Sequence, residues 1–241
     1  MLITSLDNKK IKEINKLRKK KYRDLEGKFV VETENLIREA NSLGILEEVF
    51  LLSGVSLGFS VNCPVTYVTD KVMSKITELR TSKVIAIVSK SISHEYKGTK
   101  YLMLDNISDP GNLGTIIRSA VSFSVDTVIV SLDCCDIYNE KVVRASEGAI
   151  FKINIIKEDL RDAICNLRSL NIDIYGTDVN MGIDVCDIRK DNFCVIMGNE
   201  GNGISDTVRE LVDKNIYIKT NSMESLNVAI ATSIILYELS K

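Results

Sequence analysis

Apolar residues recur along this chain in two rhythms. Ile11, Ile14 and Leu17 stand at helical spacing, with Lys and Arg on the remaining faces, and predict a helix over 7–23. Leu36, Ile37 and Ala40 predict another over 34–42, with Gly44 placed to end it, and a third is predicted over 71–79. Short apolar runs at 29–31, 49–52, 65–68 and 84–88 read as strands. A polar stretch without period follows from Ser89 to Lys100. The chain therefore divides into a small α/β domain over 1–90, a linker over 91–100 and a second domain over 101–241. In the second domain, strands predicted at 101–104, 127–130, 153–156, 172–176, 193–197 and 216–218 alternate with helices. The helices are predicted at 115–124, 140–149, 159–170, 206–212 and 225–240. Such alternation makes a mostly parallel sheet covered on both faces. The last helix is apolar nearly all round, which predicts burial on every side.

Charge sharpens the division. The net charge of −2 conceals +6 over residues 1–30, 0 over 31–100 and −8 over 101–241. A basic front end of this kind meets a polyanion. Its candidate phosphate contacts are Lys9, Lys10, Lys12, Lys16, Lys19, Lys20, Lys21 and Arg23. The chain holds a single His, His94, which lies in the linker, so chemistry needing two histidines is excluded. The six cysteines show no C-x-x-C spacing, so no metal is expected; a bridge between the neighbours Cys134 and Cys135 would be strained, and most of the rest read as reduced core thiols. The first residues lack the apolar run of a signal peptide, and 228–236 is too short to span a membrane. The expected compartment is the cytoplasm, with no membrane partner.

Three segments fall where open α/β sheets bind ligands, beyond the carboxyl ends of strands. Asn106-Ile107-Ser108-Asp109-Pro110-Gly111-Asn112-Leu113-Gly114 opens a helix, in whose first turn Arg118 is expected. A cation there opposes the helix dipole and points to an anionic partner. Gly198-Asn199-Glu200-Gly201-Asn202-Gly203 is Gly-rich but is neither a Walker A loop nor G-x-G-x-x-G. Ser222-Met223-Glu224-Ser225-Leu226-Asn227 leads into the last helix, with Ser225 as its expected N-cap.

Together these segments resemble the SpoU/TrmH family of RNA 2′-O-ribose methyltransferases, within the SPOUT superfamily. The first family motif looks like N-x-x-D-x-x-N-x-G-x-x-x-R-x-A, and Asn106, Asp109, Asn112, Gly114, Arg118 and Ala120 match it. The glycine loop from Gly198 resembles the second motif, and Ser225-Leu226-Asn227-Val228-Ala229 the third. Arg144-Ala145-Ser146-Glu147-Gly148-Ala149 is similar to a further signature between them. Departures occur at Thr33, at Thr81-Ser82-Lys83 and at Tyr217-Ile218-Lys219. The front domain is similar, more loosely, to the family's small RNA-binding domain.

The resemblance implies an α/β SPOUT catalytic domain with a parallel sheet and a C-terminal trefoil knot, preceded by a small α/β RNA-binding domain. It implies a homodimer, S-adenosylmethionine (SAM) as donor, and RNA rather than DNA as substrate, with large-subunit 23S rRNA foremost. SAM-binding positions map onto Thr177, Gly198, Ile218 and Leu226, with Tyr217 as the alternative to Ile218. The implied catalytic set is Arg118, Asn112, Glu200, Ser225 and Asn227. No His lies within 95–241, and an Arg is too basic to accept a proton. Arg118 is thus expected to bind the phosphate beside the target ribose and orient its hydroxyl, with Glu200 holding Arg118. Asn112 and Asn227 are expected to bond the ribose or each other. An antibiotic-resistance rRNA enzyme, a tRNA 2′-O-methyltransferase and a non-catalytic RNA-binding or ribosome-assembly factor stand as alternatives.

Overall fold

The structure, a computed structural model, describes residues 2–90, 94–179, 181–188, 190–220 and 225–241. Residues 222–224 of the expected third loop and residues 91–93 of the expected linker lie outside the described residues. The chain forms two compact units. One comprises Met1–Ser91 with Tyr138–Phe151, and the other Ile92–Ile137 with Lys152–Lys241. The 140–149 segment, read from the sequence as a crossover of the second domain, thus belongs to the first unit.

In the first unit the chain runs β1 (Leu2–Ile3), α1 (Lys9–Leu17), α2 (Lys20–Glu26), β2 (Lys28–Val31), α3 (Glu34–Ser42), β3 (Leu46–Leu52), β4 (Val65–Val68), α4 (Asp70–Ile76) and β5 (Val84–Ser89). The strands lie in the order β1-β4-β3-β5-β2. β4 is parallel to β1 and β3, whereas β5 is antiparallel to β3 and β2. Ile11, Ile14 and Leu17 enter a core with Val30, Phe50, Val72 and Ile85. The single helix expected over 7–23 is in fact two. Lys19 is extended at φ −95°, which breaks the run, and the buried Arg23 donates to the carbonyls of Leu17 at 3.0 Å and Arg18 at 2.7 Å. Arg23 therefore satisfies the open end of α1.

The second unit begins with β6 (Lys100–Leu104), α5 (Pro110–Ser122) and β7 (Thr127–Val130). The chain then supplies α6 (Glu140–Ala145) to the first unit. Glu147 and Gly148 follow α6 at φ 49° and 89°. Two successive left-handed residues cannot continue a helix, so α6 stops short of the expected Ala149. Arg18 of the same unit lies 2.6 Å from Glu140 and 3.2 Å from Glu78, and Arg144 lies 2.9 Å from Glu78. Burial pushes the Glu140 carboxyl up to about 7 against the pull of Arg18, with Glu78 and Glu32 adding to the rise.

The remainder is β8 (Asn154–Lys157), α7 (Leu160–Ser169), β9 (Ile174–Thr177), β10 (Ile183–Asp184), β11 (Phe193–Met197), α8 (Asp206–Arg209), β12 (Lys214–Tyr217) and α9 (Val228–Leu239). Seven strands pair in the order β10-β12-β9-β11-β6-β7-β8, every pairing parallel. The two-residue strands β1 and β10 carry no readable period and were not expected. One core cluster is built by Tyr101, Met103, Ile164, Leu167, Cys194 and Ile196, with Ile204 and Val208 closing over it. Cys134 and Cys194 are buried, but Cys165 and Cys186 are exposed, so fewer thiols belong to the core than the apolar runs around them suggested.

α9 also departs from expectation. Val228, Ala229, Thr232, Ile235, Leu236 and Leu239 are buried, yet Ile230, Ile234 and Tyr237 are exposed. The helix is apolar all round without being enclosed all round in one copy of the chain. Among the described residues no helix is long and apolar enough to cross a membrane.

Candidate active site

Strand register assembles the site. Met197 of β11 pairs with Leu104 of β6, and Ile216 of β12 with Thr177 of β9. Because the strands are parallel, the segments leaving them emerge along one edge of the sheet. The loop after β6 and the glycine loop after β11 are therefore neighbours, although over 90 residues separate them in sequence. Asp105, buried at 6% exposure, accepts from the backbone N–H of Ser205 at 2.8 Å and ties the two loops at their base.

Above that tie the loops are joined by side chains. Asn106 is left-handed at φ 54°, and its carbonyl accepts from Nδ2 of Asn199 at 2.8 Å. Asn199 Oδ1 in turn accepts from the N–H groups of Gly201 and Asn202 at 2.9 and 3.1 Å. The glycine loop folds back so tightly that a Cβ on Gly198 would stand 2.2 Å from backbone atoms of Gly203 and Ile204. Only glycine fits there.

Glu200 lies at the centre of this junction. It accepts from Asn112 Nδ2 at 3.0 Å, from Ser108 Oγ at 3.2 Å and from Asn199 Nδ2 at 3.3 Å. Longer approaches come from the N–H groups of Asp109 and Ser108. Partial burial works against its charge, but the hydrogen bonds outweigh it and hold the carboxyl below its ordinary value. Asn112 passes the network on, accepting at Oδ1 from Asn227 Nδ2 at 3.0 Å. Asn227 then caps α9, its Oδ1 taking the N–H groups of Ala229 and Ile230 at 3.0 and 3.3 Å.

Several expectations change here. Asn227, not Ser225, caps the last helix, because α9 starts only at Val228. Arg118 is not in a first turn: α5 starts at Pro110, capped by Asp109, which places Arg118 in the body of the helix. The helix-dipole reading of Arg118 therefore falls. Its side chain is exposed, and Glu200 does not hold it, because Glu200 is taken by Asn112, Ser108 and Asn199. Among the described residues the Arg118 guanidinium has no hydrogen-bond or ion-pair partner.

Beside the network lies a cavity of about 390 Å³. Thr177, Gly198, Tyr217, Ile218 and Leu226 all line it, as do Ser225 and Glu200. Sequence reasoning missed Asp178 and Arg209, which also line it. An acidic residue directly after a strand and an Arg shortly after a glycine loop were the available signals. Its mixed polar and apolar wall and its size suit a small organic ligand. The nearby Cys135 thiol is pushed up to about 12 by burial, with Cys134 and Asp109 adding, so it offers no thiolate nucleophile. Among the described residues no three His, Cys, Asp or Glu side chains gather to hold a metal ion.

In the first unit, Lys9, Lys12, Lys16 and Lys19–Lys21 are exposed. Lys12 pairs with Asp7 at 3.0 Å, Lys10 is paired with Glu48, and Lys16 lies 5.9 Å from the Tyr22 ring centre. Arg23, expected among the phosphate contacts, is buried and committed to carbonyls, so it leaves that set.

Residues 99–237 match the SpoU rRNA Methylase family, and residues 8–86 match an MRM3-like substrate binding domain. The chain is 32% identical to the 23S rRNA (guanosine(2553)-2′-O)-methyltransferase RlmP of Bacillus subtilis, over 98% of each chain. A crystal structure of an rRNA methyltransferase from Sinorhizobium meliloti superposes with a TM-score of 0.88 at 30% identity, covering 99% of this chain and 96% of that one. An AdoMet-bound structure of an rRNA methyltransferase from the same organism gives 0.88 at 29% identity, covering 99% and 97%. With more than half the chain inside one family match and a relative spanning nearly all of it, the chain belongs to the SpoU rRNA methylase family.

Proposed function

We propose that this protein transfers a methyl group from SAM to a ribose 2′-hydroxyl of 23S rRNA. The observation that carries the reading is the junction at the sheet edge. There a glycine loop that tolerates no side chain at Gly198 borders a ligand-sized cavity, and the Glu200–Asn112–Asn227 network stands beside it. The lining fits SAM: close backbone approach at Gly198, apolar walls from Ile218 and Leu226, and polar groups at Thr177 and Tyr217. These residues would hold the cofactor, which supplies a methyl group already activated on a sulfonium.

The remaining task for the chain is positioning. Arg118 grips the phosphate next to the target ribose through its planar guanidinium and presents the hydroxyl. Asn112 and Asn227 form a paired amide platform for the ribose, and Glu200 orients Asn112 through the 3.0 Å bond. Ser225 contributes to the cavity wall. The exposed lysines of the first unit supply affinity for phosphates without choosing sequence.

We also propose that the catalytic unit carries the family's C-terminal trefoil knot and acts as a homodimer in the cytoplasm. The apolar strip Ile230, Ile234 and Tyr237 on α9 supports dimerisation, since an isolated chain would leave it in water.

The test is to incubate the protein with radiolabelled SAM and total RNA, then map 2′-O-methyl sites in RNA from cells with and without the gene. One 23S rRNA position should lose its mark without the gene. A mark lost only from tRNA would move the substrate. SAM binding with no methyl transfer to any cellular RNA would leave a binding or assembly factor instead.

A further inference from the structure

We propose that Arg209 receives the carboxylate of the methyl donor and so sets which way the donor enters the cavity. The inference rests on the SAM reading above and adds a cofactor-recognition residue to it. Among the described residues lining the cavity, Arg209 is the only cation, while Asp178 and Glu200 are the only acids. Glu200 is already engaged by Asn112, Ser108 and Asn199.

Arg209 ends the short helix α8 and turns back under the glycine loop. Its Nη2 donates to the carbonyl of Ile204 at 3.1 Å and stands 3.7 Å from where a Cβ on Gly203 would lie. Glycine at 203 thus leaves that side of the guanidinium uncovered. Among the described residues one N–H of its five is used and no ion-pair partner exists.

SAM carries a sulfonium, an ammonium and one carboxylate. Its net charge is positive, so an arginine in its cavity repels it unless the two meet at the single anionic group. The planar guanidinium fork matches a carboxylate, and the match would be lost with any group bearing no such pair of oxygens.

The test uses the full chain and its Arg209→Gln and Arg209→Lys variants, titrated calorimetrically with SAM and with decarboxylated SAM. Gln keeps an N–H for the Ile204 carbonyl while removing the charge, and thermal unfolding of each variant checks the fold. Arg209→Gln should weaken SAM binding about tenfold or more and change binding of the decarboxylated analogue less than about twofold. Arg209→Lys should recover part of the loss. Equal losses for both ligands, or no loss for either, would overturn the proposal. So would intact SAM binding with weakened RNA retention, which would hand Arg209 to the substrate. If the unaltered protein bound no SAM, the cofactor reading itself would fall, and this proposal with it.

Discussion

Asn227 performs two tasks with the two ends of one amide, and two substitutions separate them. Its Oδ1 caps α9 through Ala229 and Ile230, and its Nδ2 holds Asn112 at 3.0 Å. Asn227→Ala removes both. The lost cap costs about 1 kcal/mol and the lost amide bond about 1 kcal/mol, so stability should fall by roughly 2 kcal/mol. Asn227→Asp keeps a capping oxygen, and its negative charge suits a helix N-terminus. That carboxylate, however, meets the Asn112 Oδ1 acceptor with no proton to give. If Asn112 rotates to donate to it, the Asn112 Oδ1 turns toward Glu200 and the 3.0 Å bond there is lost. Either way the amide platform is broken while the helix stays capped. Asn227→Asp should therefore unfold within about 1 kcal/mol of the unaltered protein, a shift of a few degrees at this chain length. Its single-turnover methyl transfer to 23S rRNA should drop about tenfold or more, equivalent to about 1.4 kcal/mol of lost transition-state positioning. SAM affinity should hold. Full activity in Asn227→Asp, or a stability loss equal to that of Asn227→Ala, would refute the reasoning.

Four further outcomes are expected. Arg118→Lys should lose most methyl transfer but bind SAM normally, because a lysine cannot make the planar two-point contact with phosphate; near-normal turnover would remove Arg118 from phosphate positioning. Glu140, raised to about 7 in the folded chain, binds its proton more tightly folded than unfolded. Its contribution to stability is thus full below the ordinary carboxylate range and is lost as pH rises through about 7, by up to about 3 kcal/mol. Glu140→Gln should match the unaltered protein near about pH 5 and exceed it near about pH 8 in chemical denaturation; a difference constant across that range would contradict the burial argument. Finally, charge reversal at Lys19, Lys20 and Lys21 should weaken RNA retention and flatten its salt dependence by about two to three units of slope. Arg23→Gln should instead lower the unfolding temperature, since that side chain satisfies carbonyls at the end of α1.

The sequence by itself determined the alternating strands and helices of the second unit, and with them a parallel sheet whose loops gather at one edge. It also placed the glycine loop, because short motifs and apolar periods are local properties, whereas Asn112, Asn227 and the positions Thr177, Gly198, Tyr217, Ile218 and Leu226 are singled out by the resemblance to the SpoU/TrmH family and not by any local period. Only the tertiary structure decided what those residues touch. That Glu200 serves Asn112 rather than Arg118 follows from the pairing of Met197 with Leu104, which sets loops from distant parts of the chain side by side. Arg23 counted as a surface charge until the break at Lys19 left carbonyls for it to satisfy. The 140–149 segment reads locally as one more crossover, and its packing gives it to the first unit. Local periodicity reports which face of an element is apolar. Which partner that face or amide meets depends on strand register and on the burial of polar groups, and these are set only when distant segments pack.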